Sequence, residues 1–95
     1  MPRIIIYSPD LQSVIQGSTK INIDKDNLSK IFDVLISNYP HLEDKVFVNK
    51  QEKKLKGALL LFHNKNLIRE RNIANYDKVI NSEDELILMS AFAGG

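Results

Sequence analysis

The chain has 95 residues, 43% of them apolar, and no cysteine, which is enough for one core with no disulfide or thiolate metal site to reinforce it. Side-chain thiol chemistry is excluded, and nothing in the composition argues for an oxidising compartment, so a cytoplasmic address is expected. Thirteen basic against twelve acidic side chains leave a net charge of +1, too weak a field for a nucleic-acid surface, and no apolar run is long enough for a membrane span or a signal peptide.

Arg3 to Tyr7 is a β-branched and aromatic run that predicts a strand buried on at least one face, stopped by Pro9-Asp10. Residues 11–18, with Gly17-Ser18, read as a turn. Thr19 to Ile23 then alternates polar and apolar residues, which predicts a half-buried return strand and an N-terminal hairpin. Possible caps at Asp24 to Asn27 precede Leu28, Ile31, Phe32, Leu35 and Ile36, the apolar stripe of an amphipathic helix over about residues 27–38 that Pro40 ends. Val46-Phe47-Val48 reads either as a short extended piece or as a loop docked on the core.

Ala58 to His63 is an apolar run bounded by Gly57 and by Asn64-Lys65-Asn66, a central strand entering a tight turn, and Leu67-Ile68 begins a return strand. After a polar connection containing Tyr76, Asn81 to Asp84 turns the chain into a last strand, Glu85 to Ser90, apolar on both faces. One helix among these strands predicts an α+β fold, a mixed four- to five-stranded sheet packed on one main helix. Along the last strand Leu86 and Leu88 face one way, Ile87 and Met89 the other. A single helix covers only one face of the sheet. Ile87, Met89, Leu60 and Phe62 are therefore expected on an open apolar face that binds a partner, unless residues 41–56 fold across it.

Charge shifts along the chain, from −2 over residues 1–44 to +6 over residues 45–78 and −3 over residues 79–95. Lys50, Lys53, Lys54 and Lys56 around Glu52 read as a solvated loop or edge, with docking onto an acidic partner as the sharper alternative. His41 and His63 are far apart, with no cysteine or carboxylate cluster beside them, so no metal site is expected. Glu83, Asp84 and Glu85 read as a solvated turn rather than an acid/base pair. No nucleophile-base constellation and no phosphate-cradling loop is present, so no catalytic residue is assigned within the chain.

Past the last strand, Ala91-Phe92-Ala93-Gly94-Gly95 reads as a flexible tail (residues 91–95) on a domain of residues 1–90. Two glycines without Cβ atoms keep its end thin enough to thread a narrow tunnel, the plain alternative being a frayed terminus. A terminal carboxylate, with a pKa of about 3.5, is ionised at neutral pH and is a poor electrophile until one oxygen becomes a good leaving group. Adenylation by ATP achieves that. A sulfur nucleophile then yields a thiocarboxylate, and a thiol or an amine yields a thioester or an amide.

These features resemble the small β-grasp sulfur-carrier family, which includes the molybdopterin synthase small subunit, the thiamine-pathway sulfur carrier and cysteine-biosynthesis carriers, and is related to ubiquitin. The resemblance rests on Ser82 to Gly95, with its acidic turn, final hydrophobic strand and Ala93-Gly94-Gly95 end, on Tyr39-Pro40 after the helix, and on Leu61-Phe62-His63-Asn64. Glu83 stands where the family usually has glycine, Ser90-Ala91 replaces a proline-rich step, and Phe92 replaces a smaller aliphatic residue. The resemblance implies a ubiquitin-like β-grasp fold and a carrier rather than an enzyme, or else the small subunit of a molybdopterin-synthase-like enzyme. Gly95 would be the activated and thiocarboxylated terminus, with Gly94, Ala93 and Phe92 entering the partner's active site. The implied partners are an E1-like adenylating enzyme, which uses ATP and magnesium, and a sulfur-accepting synthase; the chain itself would bind no cofactor. The alternatives are a ubiquitin-like modifier conjugated through Gly95 and a β-grasp interaction domain that is never activated.

Overall fold

The structure, a computed structural model, describes residues 1–15 and 19–91. In chain order its elements are β1 (Arg3–Tyr7), α1 (Pro9–Val14), β2 (Lys20–Asn22), α2 (Leu28–Asn38), α3 (Leu42–Val46), β3 (Phe47–Asn49), β4 (Lys54–Leu55), β5 (Leu59–His63), β6 (Asn66–Leu67), a 3-10 turn at Ile73–Asn75, and β7 (Glu85–Ser90). Five strands form one mixed sheet in the order β2-β1-β7-β5-β6. The last strand is therefore the middle one, parallel to β1 and antiparallel to β5.

Helix α2 begins where the Asn27 side chain accepts the Lys30 N–H at 3.1 Å, and it ends before Pro40, as the sequence predicts. Its stripe of Leu28, Ile31, Phe32 and Leu35 is buried in the same cluster as Ile4 and Ile6 of β1, Leu59 and Leu61 of β5, and Leu86 and Leu88 of β7. Alternation along each strand sends every second side chain into this layer. The result is the ubiquitin-like β-grasp arrangement, a mixed sheet wrapped over one main helix.

One expectation needs correction. Residues 9–14 are a helix rather than part of a turn, so β1 and β2 pair antiparallel without forming a tight hairpin. Ser8 caps this helix, Pro9 occupies its first turn with Asp10, and Leu11 is buried; proline there starts a helix rather than only ending a strand. Gln12 Nε2 donates to the Ile6 carbonyl at 2.8 Å, which ties α1 to β1. The Gly17-Ser18 turn lies outside the described residues. The short extended piece expected at Val46-Phe47-Val48 is β3, within residues 42–55, which form α3 and a separate two-stranded ribbon, β3 against β4. Leu42, Val46, Phe47 and Leu55 are buried in the main core, with the Phe47 ring 6.0 Å from that of Phe32. This segment packs on the helix side of the sheet.

The turn from β5 to β6 has Asn64 at φ 48° and Lys65 at φ 72°. Two consecutive left-handed residues are what a two-residue hairpin with the twist of its strands requires, and asparagine tolerates the geometry better than lysine.

Candidate functional site

The face of the sheet turned away from α2 is built by register. Ile5 and Phe62 flank Ile87 on either side, and Tyr7 and Leu60 flank Met89. Directly opposed residues on neighbouring strands share a face with their Cβ atoms about 5 Å apart, so these six side chains form one continuous apolar sheet surface. Leu60, Phe62, Ile87 and Met89 are each half-buried, Ile5 is covered by its neighbours, and Tyr7 is 54% exposed. Leu67 of the edge strand, 40% exposed, extends the surface beside Phe62. At one end the face is closed by Arg3, whose guanidinium lies 3.2 Å from Glu85. Lys20 of β2, opposite Ile5, puts one charge on its rim, and at the other end the face runs to Met89, two residues before Ala91.

All four partner-face residues expected from the sequence, Leu60, Phe62, Ile87 and Met89, thus lie together. Sequence reasoning missed Ile5, Tyr7 and Leu67. Alternation within Arg3 to Tyr7 would have assigned Ile5 and Tyr7 to a face, but only the parallel pairing of β1 with β7 says which face they share. Residues 92–95, and with them Phe92, Ala93, Gly94 and Gly95, lie outside the described residues. Ala91 is described: its N–H donates to the Ala58 carbonyl at 2.6 Å, which carries the β5–β7 ladder one residue past β7.

At the opposite end of β7 the acidic turn is not simply solvated. Asp84 is 11% exposed at its side chain and His63 is 12% exposed, with Nε2 of the ring 2.7 Å from Asp84 Oδ2. Asp84 also accepts from Asn64 Nδ2 and from the Asn81 N–H, each at 2.8 Å. These donors, Asn64 foremost, then His63 and Asn81, hold its carboxyl down at about 2. An ionised carboxylate only accepts, so the His63 proton sits on Nε2; in the neutral ring Nδ1 then accepts from the Tyr76 hydroxyl at 2.7 Å. Burial, with the charges of Asp77 and Asp84, raises the Tyr76 pKa. Asn64 completes the network by accepting the Glu85 N–H through Oδ1 at 2.9 Å.

This cluster joins the β5–β6 turn, the 76–84 connection and the start of β7, and it lies at the far end of β7 from the tail. The solvated reading of Asp84 is corrected, and His63 meets this one carboxylate rather than a cluster of them. Glu83 is exposed and Glu85 pairs with Arg3, so the three acidic residues do not converge. Among the described residues no three His, Asp or Glu side chains converge as metal ligands, and His41 is exposed.

Two of the four lysines of the basic stretch, Lys50 and Lys53, are paired within the chain, as is Lys45 before it. Lys50 Nζ is 2.6 Å from Asp44, Lys53 Nζ is 2.6 Å from Asp33 and bonds the Ser29 hydroxyl, and Lys45 Nζ is 3.0 Å from Asp10. Lys54 and Lys56 are exposed on the ribbon and its exit. Among the described residues no helix is long and apolar enough to cross a membrane.

Fold and surface together define a small ubiquitin-like β-grasp protein whose central strand runs out beside an open apolar face. Solved structures of the same fold include a chain of the BexX/CysO complex from Amycolatopsis orientalis, 18% identical, with a TM-score of 0.79 over 100% of both chains. Small archaeal modifier protein 1 from Haloferax volcanii is 23% identical, with a TM-score of 0.70 over 99% of this chain and 98% of its own. CysO from Mycobacterium tuberculosis, described as an antigen, is 17% identical, with a TM-score of 0.73 over 97% and 100%. No family model matches the sequence, and no curated protein does.

Proposed function

We propose that the chain is a sulfur carrier whose reactive group is the carboxylate of Gly95. The observation that carries this reading is the course of β7: the strand at the centre of the sheet lines the open apolar face with Ile87 and Met89 and leads directly into the Ala91 to Gly95 segment. An activating enzyme seated on that face has the terminal carboxylate within reach. Four residues beyond Ala91 span at most about 14 Å.

The steps balance without a catalytic side chain in this chain. A Gly95 carboxylate oxygen attacks the α-phosphorus of ATP and pyrophosphate leaves, giving an acyl-adenylate; magnesium held by the enzyme offsets the phosphate charge. Hydrosulfide then attacks the acyl carbon, AMP leaves, the thioacid loses its proton, and the thiocarboxylate remains to be passed to a sulfur-accepting synthase. The chain is a co-substrate in this scheme, and proximity on the docked face supplies its share of the rate. The likeness to CysO and to a small archaeal modifier protein supports a terminus that is activated. An amine in place of sulfur as the attacking group gives the modifier chemistry from the same adenylate.

Intact-mass measurement tests the reading. After incubation with an ATP-dependent activating enzyme, magnesium and a sulfide source, the mass rises by the difference between one sulfur and one oxygen atom. An unchanged mass with each activating enzyme of the source cell overturns it. Isopeptide-linked Gly95 on lysines of other proteins, with no thiocarboxylate formed, replaces it with the modifier role.

A further inference from the structure

We infer that Ser90 is a positioning residue for the tail: through its hydroxyl bond to Ser8 it fixes the point and direction in which the chain leaves the sheet. The inference rests on the carrier reading and adds a named residue to it. Ser8 is 2% exposed and is the one buried polar residue among those described. It stands between β1 and α1, where its Oγ receives the Leu11 N–H at 3.5 Å as the helix cap and the Ser90 hydroxyl at 2.8 Å. The two serines are 82 residues apart in sequence.

The pairing pattern explains why that bond matters. Toward β5, the end of β7 is held by backbone: Leu59 opposes Ser90, and the Ala91 N–H reaches the Ala58 carbonyl. Toward β1, the ladder stops one residue earlier, at Tyr7 opposite Met89. Beyond that point the Ser90–Ser8 hydroxyl bond is the hydrogen bond that ties β7 to the β1–α1 corner. The corner is itself firm, because Leu11 and Ile15 are each 1% exposed and Gln12 bonds the Ile6 carbonyl. Without the serine pair, the end of β7 is held to β5 alone, and Ala91 opens from the Ala58 carbonyl more often.

The test uses S90A, with S90T as the variant that keeps the hydroxyl; Ser8 is left intact because it also caps α1. In the isolated chain, amide exchange of Ala91 is read by NMR. A net hydrogen bond of about 0.5–1.5 kcal/mol corresponds to about a two- to tenfold faster exchange at Ala91 in S90A, with the Leu86 and Leu88 amides unchanged and S90T restored toward the wild-type rate. Unchanged Ala91 exchange in S90A overturns the inference.

With an enzyme that activates the wild-type chain, S90A lowers kcat of adenylation by a similar factor while KM for the chain stays constant, because the docking face is intact, and S90T restores kcat. A constant kcat, or a loss that S90T does not restore, also overturns it. Failure of the wild-type chain to be activated by any enzyme counts against the carrier reading instead, while the exchange measurement still decides whether Ser90 anchors the strand end.

Discussion

Phe62 and Ile87 stand directly opposite each other on antiparallel strands, on the face of the sheet that α2 does not cover. The same register buries Leu61 against Leu88 on the other face, so neither face can be altered by a strand slip without altering both. This linkage allows docking and stability to be separated by neighbouring substitutions.

Phe62→Ala removes an aromatic side chain from the open face and leaves the core untouched. KM of the chain for its activating enzyme rises by an order of magnitude, roughly the effect of losing an interface hot spot, while the urea midpoint changes little. Leu88→Ala, on the covered face, does the reverse. It costs about 2–5 kcal/mol in urea unfolding through the cavity it leaves, with KM per folded molecule unchanged.

Removing Gly94 and Gly95 abolishes ATP-dependent activation and leaves thermal stability as it was. Pyrophosphate release with the activating enzyme, beside a melting curve, checks both halves. Retained function in the truncated chain would identify a pure interaction domain.

Asp84→Asn leaves the shape of the cluster but not its chemistry, because an amide has one acceptor oxygen for three donors and turns its own NH2 toward one of them. Equilibrium unfolding in urea at pH 7 shows a loss of about 2 kcal/mol, the worth of hydrogen bonds to a charged group.

The acid limb of stability follows from the same carboxylate. Its folded pKa, about 2, lies below the unfolded value, so its contribution is fully present above roughly pH 4 and is lost as the pH falls toward 2. Wild-type stability declines over that window, and Asp84→Asn declines less steeply; urea midpoints between pH 6 and pH 2 measure the difference.

Lys65→Gly relieves the second left-handed residue of the β5–β6 turn, at φ 72°. The relief of roughly 1–2 kcal/mol exceeds the added chain entropy of glycine, so the variant gains about 0.5 kcal/mol in urea unfolding.

Much of this molecule is legible locally. The spacing of Leu28, Ile31, Phe32 and Leu35 marks α2, the Pro40 stop ends it, and the alternation of Leu86 to Met89 separates a covered from an open face. Helix α1 was also legible, in Ser8-Pro9-Asp10 and the Leu11/Ile15 pair, but Pro9 reads equally as the end of a strand. Asp84 was not. Its partners His63 and Asn64 reach it across the β5–β7 ladder, with Tyr76 bonded behind His63; an acidic turn viewed alone has only water for a partner.

By itself the sequence determined the α+β class, the main helix and the two-faced last strand, because each depends on residue type and short-range periodicity. The tertiary structure alone decided that β7 is the central strand, that Ile5 and Tyr7 join Leu60, Phe62, Ile87 and Met89 on one face, and that Ser8 meets Ser90. Those relationships join residues about 80 positions apart through strand pairing. Pairing is selected by burial of the whole core rather than by any local pattern.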